Sequence, residues 1–309
     1  MSDHTMQAVR FHDYGGPEVL VFEQAPRPHP QADQVLIRVL AAGVNPADNS
    51  MRAGFFKEFM PLPMPWIPGL EAAGIVEAVG EDVTAFQKGN AVFGFVTGGY
   101  AEYAVGLASE LQRKPAHLTF EEAASVPMGS LTAWQAVIET AKVQAGQRVL
   151  VHGAAGGVGT YAVQLAKWKG AHVIGTSSAG NTEFVRSLGA EQTIDYNATP
   201  FEDVVHDVDV VIDTLGGQVM ERSWQVLKPN GILVTVAARL EAEAGQAHGV
   251  RAASASRASP EKLGQVSELL EAKKLTPVVG KRFTLAEARL AQELAATGHG
   301  RGRIILLTA

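Results

Sequence analysis

The spacing of apolar residues in this 309-residue chain changes partway along its length. Over residues 6–125 they come in short runs rich in valine, isoleucine and alanine: VLIRVLAAGV (35–44), GIVEAVG (74–80), NAVFGF (90–95) and YAEYAV (100–105). Gly, Pro, Asp and Asn interrupt these runs, the punctuation of a strand-rich fold with tight turns. FFKEFMPLPMPWIPG (55–69) holds four prolines between Pro61 and Pro68, which forbids regular helix or strand and predicts a stiff loop. From about residue 126 the pattern alternates. RVLVH (148–152), AHVIGTS (171–177), QTIDY (192–196), DVDVVIDTL (207–215) and GILVTVAA (231–238) read as strands. VGTYAVQLAKWKG (158–170) and NTEFVRSLG (181–189) read as helices, each closed by glycine. Such alternation predicts a parallel sheet with crossover helices. A further helix is predicted over 259–275, with Ser259 as N-cap and Pro260 at its first position. The tail RGRIILLTA (301–309) is strand-like.

Within the alternating half, the strand RVLVH runs straight into GAAGGVG (153–159) and an apolar helix follows at once. A strand, a glycine-rich turn and a helix N-terminus together form a phosphate cradle, because free amides and the positive end of the helix dipole point at the ligand. Ala155, Gly156, Gly157, Val158 and Gly159 are therefore candidate dinucleotide contacts. Ala154 stands where the usual motif has its first glycine. NAD-binding versions of the motif place an Asp or Glu about 20 residues on, at the end of the second strand. That stretch here is GTSSAGN (175–181), with no carboxylate. Ser177, Ser178 and Asn181 can donate hydrogen bonds to a 2′-phosphate, and Tyr196 offers a hydroxyl at the end of the third strand. The predicted cofactor is NADP(H). Arg186 either approaches the phosphate or lies on a solvated helix face. Leu215, Gly216 and Ala237 follow strands at their C-terminal ends, where ligands of parallel sheets bind.

Composition narrows the field. Hydrophobic residues make up 46% and charged residues 19%, so a large core forms and disorder is not expected. The net charge of −6 and the lack of a basic stripe argue against nucleic acid as a partner. There are no cysteines, which excludes disulfides, thiolate chemistry and Cys-ligated zinc. No signal-peptide pattern opens the chain and no apolar stretch is long enough to cross a membrane, so a cytoplasmic protein without membrane association is expected.

Several spaced motifs resemble one family across nearly the whole chain: AAGVNPAD (41–48), PGLEAAGIVEAVG (68–80), GGYAEYAV (98–105), GSLTAWQAV (129–137), VHGAAGGVG (151–159), DVVIDTLGG (209–217) and RGRIILL (301–307). They are similar to the zinc-independent, quinone oxidoreductase-like (zeta-crystallin-like) branch of the medium-chain dehydrogenases/reductases. The resemblance implies an α/β chain with two domains. A GroES-like β-rich substrate domain would span 1–125 and be completed by 276–309. A Rossmann NADP-binding domain, a doubly wound parallel sheet, would span 126–275. Zinc-dependent relatives bind metal through a Cys and a His at the positions held here by Asn45 and Leu70, and leucine cannot ligate a metal. Hydride transfer to a small hydrophobic electrophile, a quinone or an α,β-unsaturated carbonyl (an enone), is the reaction the resemblance implies. A non-catalytic NADPH-binding sensor or structural protein is the alternative.

The resemblance also nominates site residues. Asn45 either hydrogen-bonds the nicotinamide ribose or the substrate carbonyl, or makes a turn before Pro46. Asp48 is the second catalytic candidate, or else it orders the same loop. Relatives often carry a Tyr or Lys just after that Asp, whereas this chain has Asn49 and Ser50, so no side-chain proton donor is assigned. Thr132 matches a family position near the nicotinamide, with a helix N-cap as its other reading. Arg303 sits where relatives often have Lys, and it either faces the cofactor or pairs with Glu71. Substrate selection is assigned to 49–66, where Met51, Phe55, Phe56, Phe59, Met60, Met64 and Trp66 gather. His152 is read as a strand residue and not a catalyst. Family habit implies a homodimer formed through 248–259.

Overall fold

A computed structural model describes residues 4–308 and divides them into two compact units. The first comprises the chain up to Met128 together with Pro260–Glu268 and Pro277–Ala309, the last residue lying outside the described part. The second comprises Gly129–Ser259 and Leu269–Thr276.

The first unit opens with β1 (Thr5–Arg10), β2 (Val21–Pro26), β3 (Gln34–Val44) and a short helix α1 (Pro46–Arg52). There follow β4 (Glu71–Val79), β5 (Ala91–Phe95), β6 (Tyr103–Leu107), β7 (Leu111–Arg113) and α2 (Phe120–Ala124). Helix α3 (Pro127–Trp134) carries the chain on. The second unit holds β8 (Arg148–Val151), α4 (Gly159–Trp168), β9 (His172–Ser177), α5 (Thr182–Ser187) and β10 (Gln192–Asp195). It continues through β11 (Val208–Asp213), α6 (Gly217–Ser223), β12 (Leu227–Thr235), α7 (Glu243–Gln246) and β13 (Arg251–Ser254). After α8 (Leu263–Glu271), the chain ends with β14 (Val279–Thr284), α9 (Ala288–Ala296) and β15 (Arg303–Leu307) in the first unit.

In the first unit β3 is the organising strand. Its apolar run is buried on both sides, and it pairs antiparallel with β4, β6 and β15. The sheet runs β14-β15-β3-β4-β5-β7, with β1 and β2 forming a separate ribbon. Its core gathers Val35, Ile37, Val76, Val92, Tyr100 and Leu306. The tail strand β15 is therefore interior to the sheet, seated between β14 and β3.

In the second unit all six strands are parallel, in the order β10-β9-β8-β11-β12-β13. Counted from β8, this is 3-2-1-4-5-6, the order of a dinucleotide-binding sheet. The order reverses between β8 and β11, so the ligand crevice of such a sheet lies beyond Val151 and Asp213. Leu150, Val211, Ile212 and Leu233 fill the sheet interior. Helix α4 buries every residue from Gly159 to Ala166, which explains why its sequence is apolar almost all round.

Three elements differ from the sequence expectation. The helix predicted over 259–275 is shorter, with a tight turn at Pro260–Lys262 before α8. β12 starts at Leu227 and not 231. The strand predicted at 100–105 begins at Tyr103, because Tyr100 bonds instead to the loop, its amide donating to the Pro68 carbonyl.

Because β15 is interior, deleting residues 303–309 is expected to abolish cooperative melting of the first unit while leaving the second unit's strands protected. Hydrogen exchange read element by element checks this.

Candidate functional site

Two groups of residues carry chemistry, one in each unit. In the second unit the turn after β8 is shaped by contact. A side chain on Gly159 would overlap the Gly153 carbonyl oxygen, and one on Gly129 would overlap the Gly157 carbonyl. Only hydrogen fits at either place, so the loop folds tightly onto its helix and α3 lies directly against it. Among the described residues, the amides of Gly157 and Val158 donate to no backbone carbonyl. With the N-terminus of the ten-residue α4 behind them, they form an anion cradle that fits a pyrophosphate.

Around the cradle the strand ends are pinned. The Asp213 carboxylate accepts the amides of Leu215 at 3.0 Å and Gly216 at 3.0 Å and the Thr235 hydroxyl at 2.7 Å. That holds the turn after β11 and joins it to the end of β12. Leu215 and Ala237 are left exposed at these ends. At the end of β9 the Ser177 hydroxyl is buried and donates to the Ser178 carbonyl at 3.2 Å, while Asn181 donates to the Ser178 hydroxyl at 3.2 Å. Tyr196 is exposed. Arg186 pairs with Glu183 at 2.7 Å on the face of α5, the solvated-face alternative. Thr132 lies on the sixth position of α3, half-buried, and is not its N-cap.

His152 is fully buried and burial pushes its pKa down to about 4, so the ring is neutral. Ser223 gives its one hydrogen to the Val219 carbonyl, so Nε2 must donate to the Ser223 hydroxyl at 3.0 Å. Nδ1 then accepts from Thr176 at 3.1 Å. Both ring nitrogens are used structurally, beside the ring of Phe201.

In the first unit, Asn45 caps α1, Pro46 is its first residue and Asp48 completes a capping box. Asn45 is 1% exposed, Glu71 0% and Arg303 5%. The Arg303 guanidinium bonds the Glu71 carboxylate directly and reaches the Asn45 carbonyl oxygen at 2.6 Å. The Asn45 amide nitrogen donates to Glu71 Oε1 at 2.9 Å, and the Met128 amide donates to Glu71 Oε2 at 2.7 Å. Arg303 can only donate and a carboxylate can only accept, so this pair fixes which way the Asn45 amide points. Of the two readings of Arg303, the structure realises the pair with Glu71.

Asp48 is also buried, at 1% exposure. Its carboxyl accepts the backbone N–H of Asn45 at 2.8 Å, the Tyr100 hydroxyl at 3.1 Å and the backbone N–H of Gly69 at 3.3 Å. Burial pushes its pKa up to about 7 against the pull of these donors, and the nearby Glu71 charge pushes the same way. Tyr100 is driven well above its usual value by burial and then by Asp48. Asp48 borders a recess lined by Met51, Trp66, Ile67, Pro68, Gly69, Leu70, Thr97 and Gly98. Phe55, Phe59 and Met60 are exposed on the preceding segment, while Phe56 and Met64 are half-buried. Tyr100 and the Asn45–Glu71–Arg303 arrangement were not assigned a joint role from sequence. The signal that was available is N-P-A-D, which spells an N-cap, a first-turn proline and an N3 acid.

A six-strand 3-2-1-4-5-6 sheet with a glycine cradle, next in the chain to a GroES-like sheet, defines a pyridine-nucleotide dehydrogenase fold. Residues 31–116 match the alcohol dehydrogenase GroES-like domain family, and 188–306 match the zinc-binding dehydrogenase family. The chain is 34% identical to the quinone oxidoreductase of Mus musculus, covering 98% of each chain. It is also 34% identical to the 2-methylene-furan-3-one reductase of Solanum lycopersicum, covering 97% of this chain and 79% of that one. A mycobacterial structure complexed with NADPH superposes with a TM-score of 0.87 at 30% identity, over 98% of this chain and all of that one. The chain belongs to the quinone oxidoreductase-like branch of the medium-chain dehydrogenases/reductases. Its residues do not fit the metal in the second family's description. Cysteine is absent, Leu70 holds a ligand position, and the Arg303 cation already occupies Asn45 and Glu71. Among the described residues, no three His, Cys, Asp or Glu side chains are arranged to hold a metal.

Replacing Arg303 with Met leaves the Glu71 charge buried and alone, and is expected to cost about 3–5 kcal/mol. The double variant Arg303→Met with Glu71→Gln should recover most of that loss, read by denaturant unfolding. For Asp48, the folded value lies above the ordinary 3.8 of the unfolded chain. Its stabilising contribution is therefore complete below about pH 4 and is lost as pH rises through about 7. Wild type should lose thermal stability relative to Asp48→Asn between about pH 4 and 7, and the difference should level off above that.

Proposed function

We propose that the chain is an NADPH-dependent, zinc-free reductase of quinones or α,β-unsaturated carbonyls. The observation that carries the cofactor reading is the glycine cradle after β8 combined with a β9 end that holds Ser177, Ser178 and Asn181 and no carboxylate. An acid there would repel a 2′-phosphate. Ser177, buried and bonded to the Ser178 carbonyl, leaves room for it, and the Ser178 hydroxyl and the Asn181 amide are the groups that would hydrogen-bond it. The relative solved with NADPH supports the same choice.

On this reading the second unit holds the dinucleotide. Gly156, Gly157, Val158 and Gly159 face the pyrophosphate with Ala155 beside them, Tyr196 borders the adenosine end, and Leu215, Gly216, Ala237 and Thr132 border the nicotinamide end. When bound, the reduced dinucleotide supplies a hydride. The first unit serves the acceptor. Asn45, its amide aimed by Glu71 and Arg303, has one further N–H available for an acceptor or ribose oxygen. Arg303 acts on the ligand through Asn45. No ligand set for a metal is present among the described residues to polarise a plain ketone or alcohol, which favours an acceptor that is electrophilic already, as quinones and enones are. Two copies joined along the edge strand β13, in the cytoplasm, complete the reading.

Ser178→Asp tests the cofactor choice. Calorimetric titration should show NADPH affinity falling by roughly tenfold or more, about 1.4 kcal/mol, with NADH affinity little changed. Equal wild-type affinity for the two cofactors would refute the NADP reading. A paired screen of 1,4-quinones and 2-alkenals for NADPH oxidation then separates the acceptor classes.

A further inference from the structure

Of the peptides between Gly156 and the start of α4, the one joining Gly157 to Val158 is held differently from its neighbours. The Gly156 carbonyl accepts the Thr160 amide at 3.0 Å. The Val158 carbonyl accepts the amides of Tyr161 at 3.1 Å and Ala162 at 3.0 Å. Among the described residues, the Gly157 carbonyl accepts no backbone hydrogen bond and the Val158 N–H donates none. Hydrogen bonds fix the peptides on either side and leave this one to contact. The contact comes from Gly129, on the first turn of α3 and within the second unit. A Cβ at Gly129 would stand 2.5 Å from the Gly157 carbonyl oxygen and 3.2 Å from the Tyr161 ring. Tyr161 is fully buried, so its ring has little room to swing away.

We propose that Gly129 is a positioning residue for the dinucleotide pyrophosphate. Its missing side chain lets the Gly157 carbonyl seat against α3, and this turns the Val158 N–H of the same peptide into the anion cradle. The proposal rests on reading the loop as a dinucleotide site.

A trans peptide is planar, with its C=O and N–H pointing in opposite directions. Seating the carbonyl on α3 therefore aims the N–H away from α3. Val158 is β-branched and has a φ of −94°. A full flip of the peptide would carry it to positive φ, which such residues avoid. Added bulk at position 129 is therefore met by a tilt of the peptide and not by its reversal. Hydrogen bonds weaken steeply as their angle closes, so a tilt takes strength from a bond to phosphate while the loop keeps its fold. Glycine is a poor helix former beside alanine, so helix propensity opposes Gly129 inside α3 and the close contact explains it. The groups proposed for the 2′-phosphate, Ser178 and Asn181, belong to a separate stretch at the end of β9. Ligands with and without a pyrophosphate therefore separate the two effects.

Calorimetric titration of the full chain with 2′-phospho-ADP-ribose, which carries the pyrophosphate, and with 2′-AMP, which lacks it, reads the effect. Gly129→Ala should lower affinity for the first by about tenfold, or about 1.4 kcal/mol, and leave the second unchanged. Leu131→Ala removes buried apolar contact from the same helix without adding atoms against the loop. It should keep the wild-type ratio of the two affinities, which separates positioning from a general loosening of α3. In wild type, 13C on glycine carbonyls and 15N on valine amides isolate Val158 with Val44 and Val250 in NMR spectra. The Val158 N–H signal should move downfield with 2′-phospho-ADP-ribose and stay in place with 2′-AMP, and in Gly129→Ala the response should shrink. Wild-type affinity for 2′-phospho-ADP-ribose in Gly129→Ala, or an equal loss for both ligands, would overturn the role of Gly129. So would a wild-type Val158 signal that ignores the pyrophosphate, a result that needs no variant to fold. Failure of wild type to bind either ADP-ribose or its 2′-phosphate would instead overturn the dinucleotide reading beneath it.

Discussion

A carboxylate cannot be buried alone. Glu71 sits at full burial at the start of β4, and the first unit is arranged so that it does not have to be. Its positive partner arrives from the far end of the sequence on β15, its hydrogen bonds come from Asn45 and Met128, and Gly43 leaves room for its side chain. The return of the tail to β3 therefore brings a cation to an acid while it adds a strand to the sheet. The pair also sets the orientation of the Asn45 side-chain amide, the group proposed to face the ligand. A buried ion pair of this kind is a weak source of net stability but a strong constraint on arrangement.

The second unit relies on backbone geometry and on hydrogen bonds to buried side chains, with no buried ion pair at its strand ends among the described residues. The glycine loop, the Asp213 brace and the neutral His152 bridge between Thr176 and Ser223 all act on strand ends at the point where the sheet order reverses.

The second unit was legible because period and punctuation agree there. Each apolar run ends in glycine or a polar turn, and all five strands named from sequence are present in the structure with boundaries shifted by a few residues. The short helix α1 was not named, since seven residues give too little periodicity and Pro46 reads as a breaker when its role is to start the helix. The helix α9 in the tail was missed as well. In the site, the absence of cysteine and the identity of Leu70 spoke plainly about metal chemistry. The pairing of Arg303 with Glu71 was one of two readings of the tail, whereas its bond to Asn45 was not foreseen, because it joins residues 258 positions apart. Tyr100 was invisible as a partner of Asp48 for the same reason, its position in GGYAEYAV marking a motif but not a contact.

In the proposed reaction a hydride moves from reduced NADP to an electron-poor carbon. NADPH deuterated at the transferable C4 position, a 2-alkenal acceptor and NMR of the product follow that hydride. Deuterium is expected at the β-carbon and a solvent proton at the α-carbon, with no added metal and with activity unchanged by chelator. Product carrying no deuterium at the β-carbon, or turnover that appears only when zinc is supplied, would contradict it.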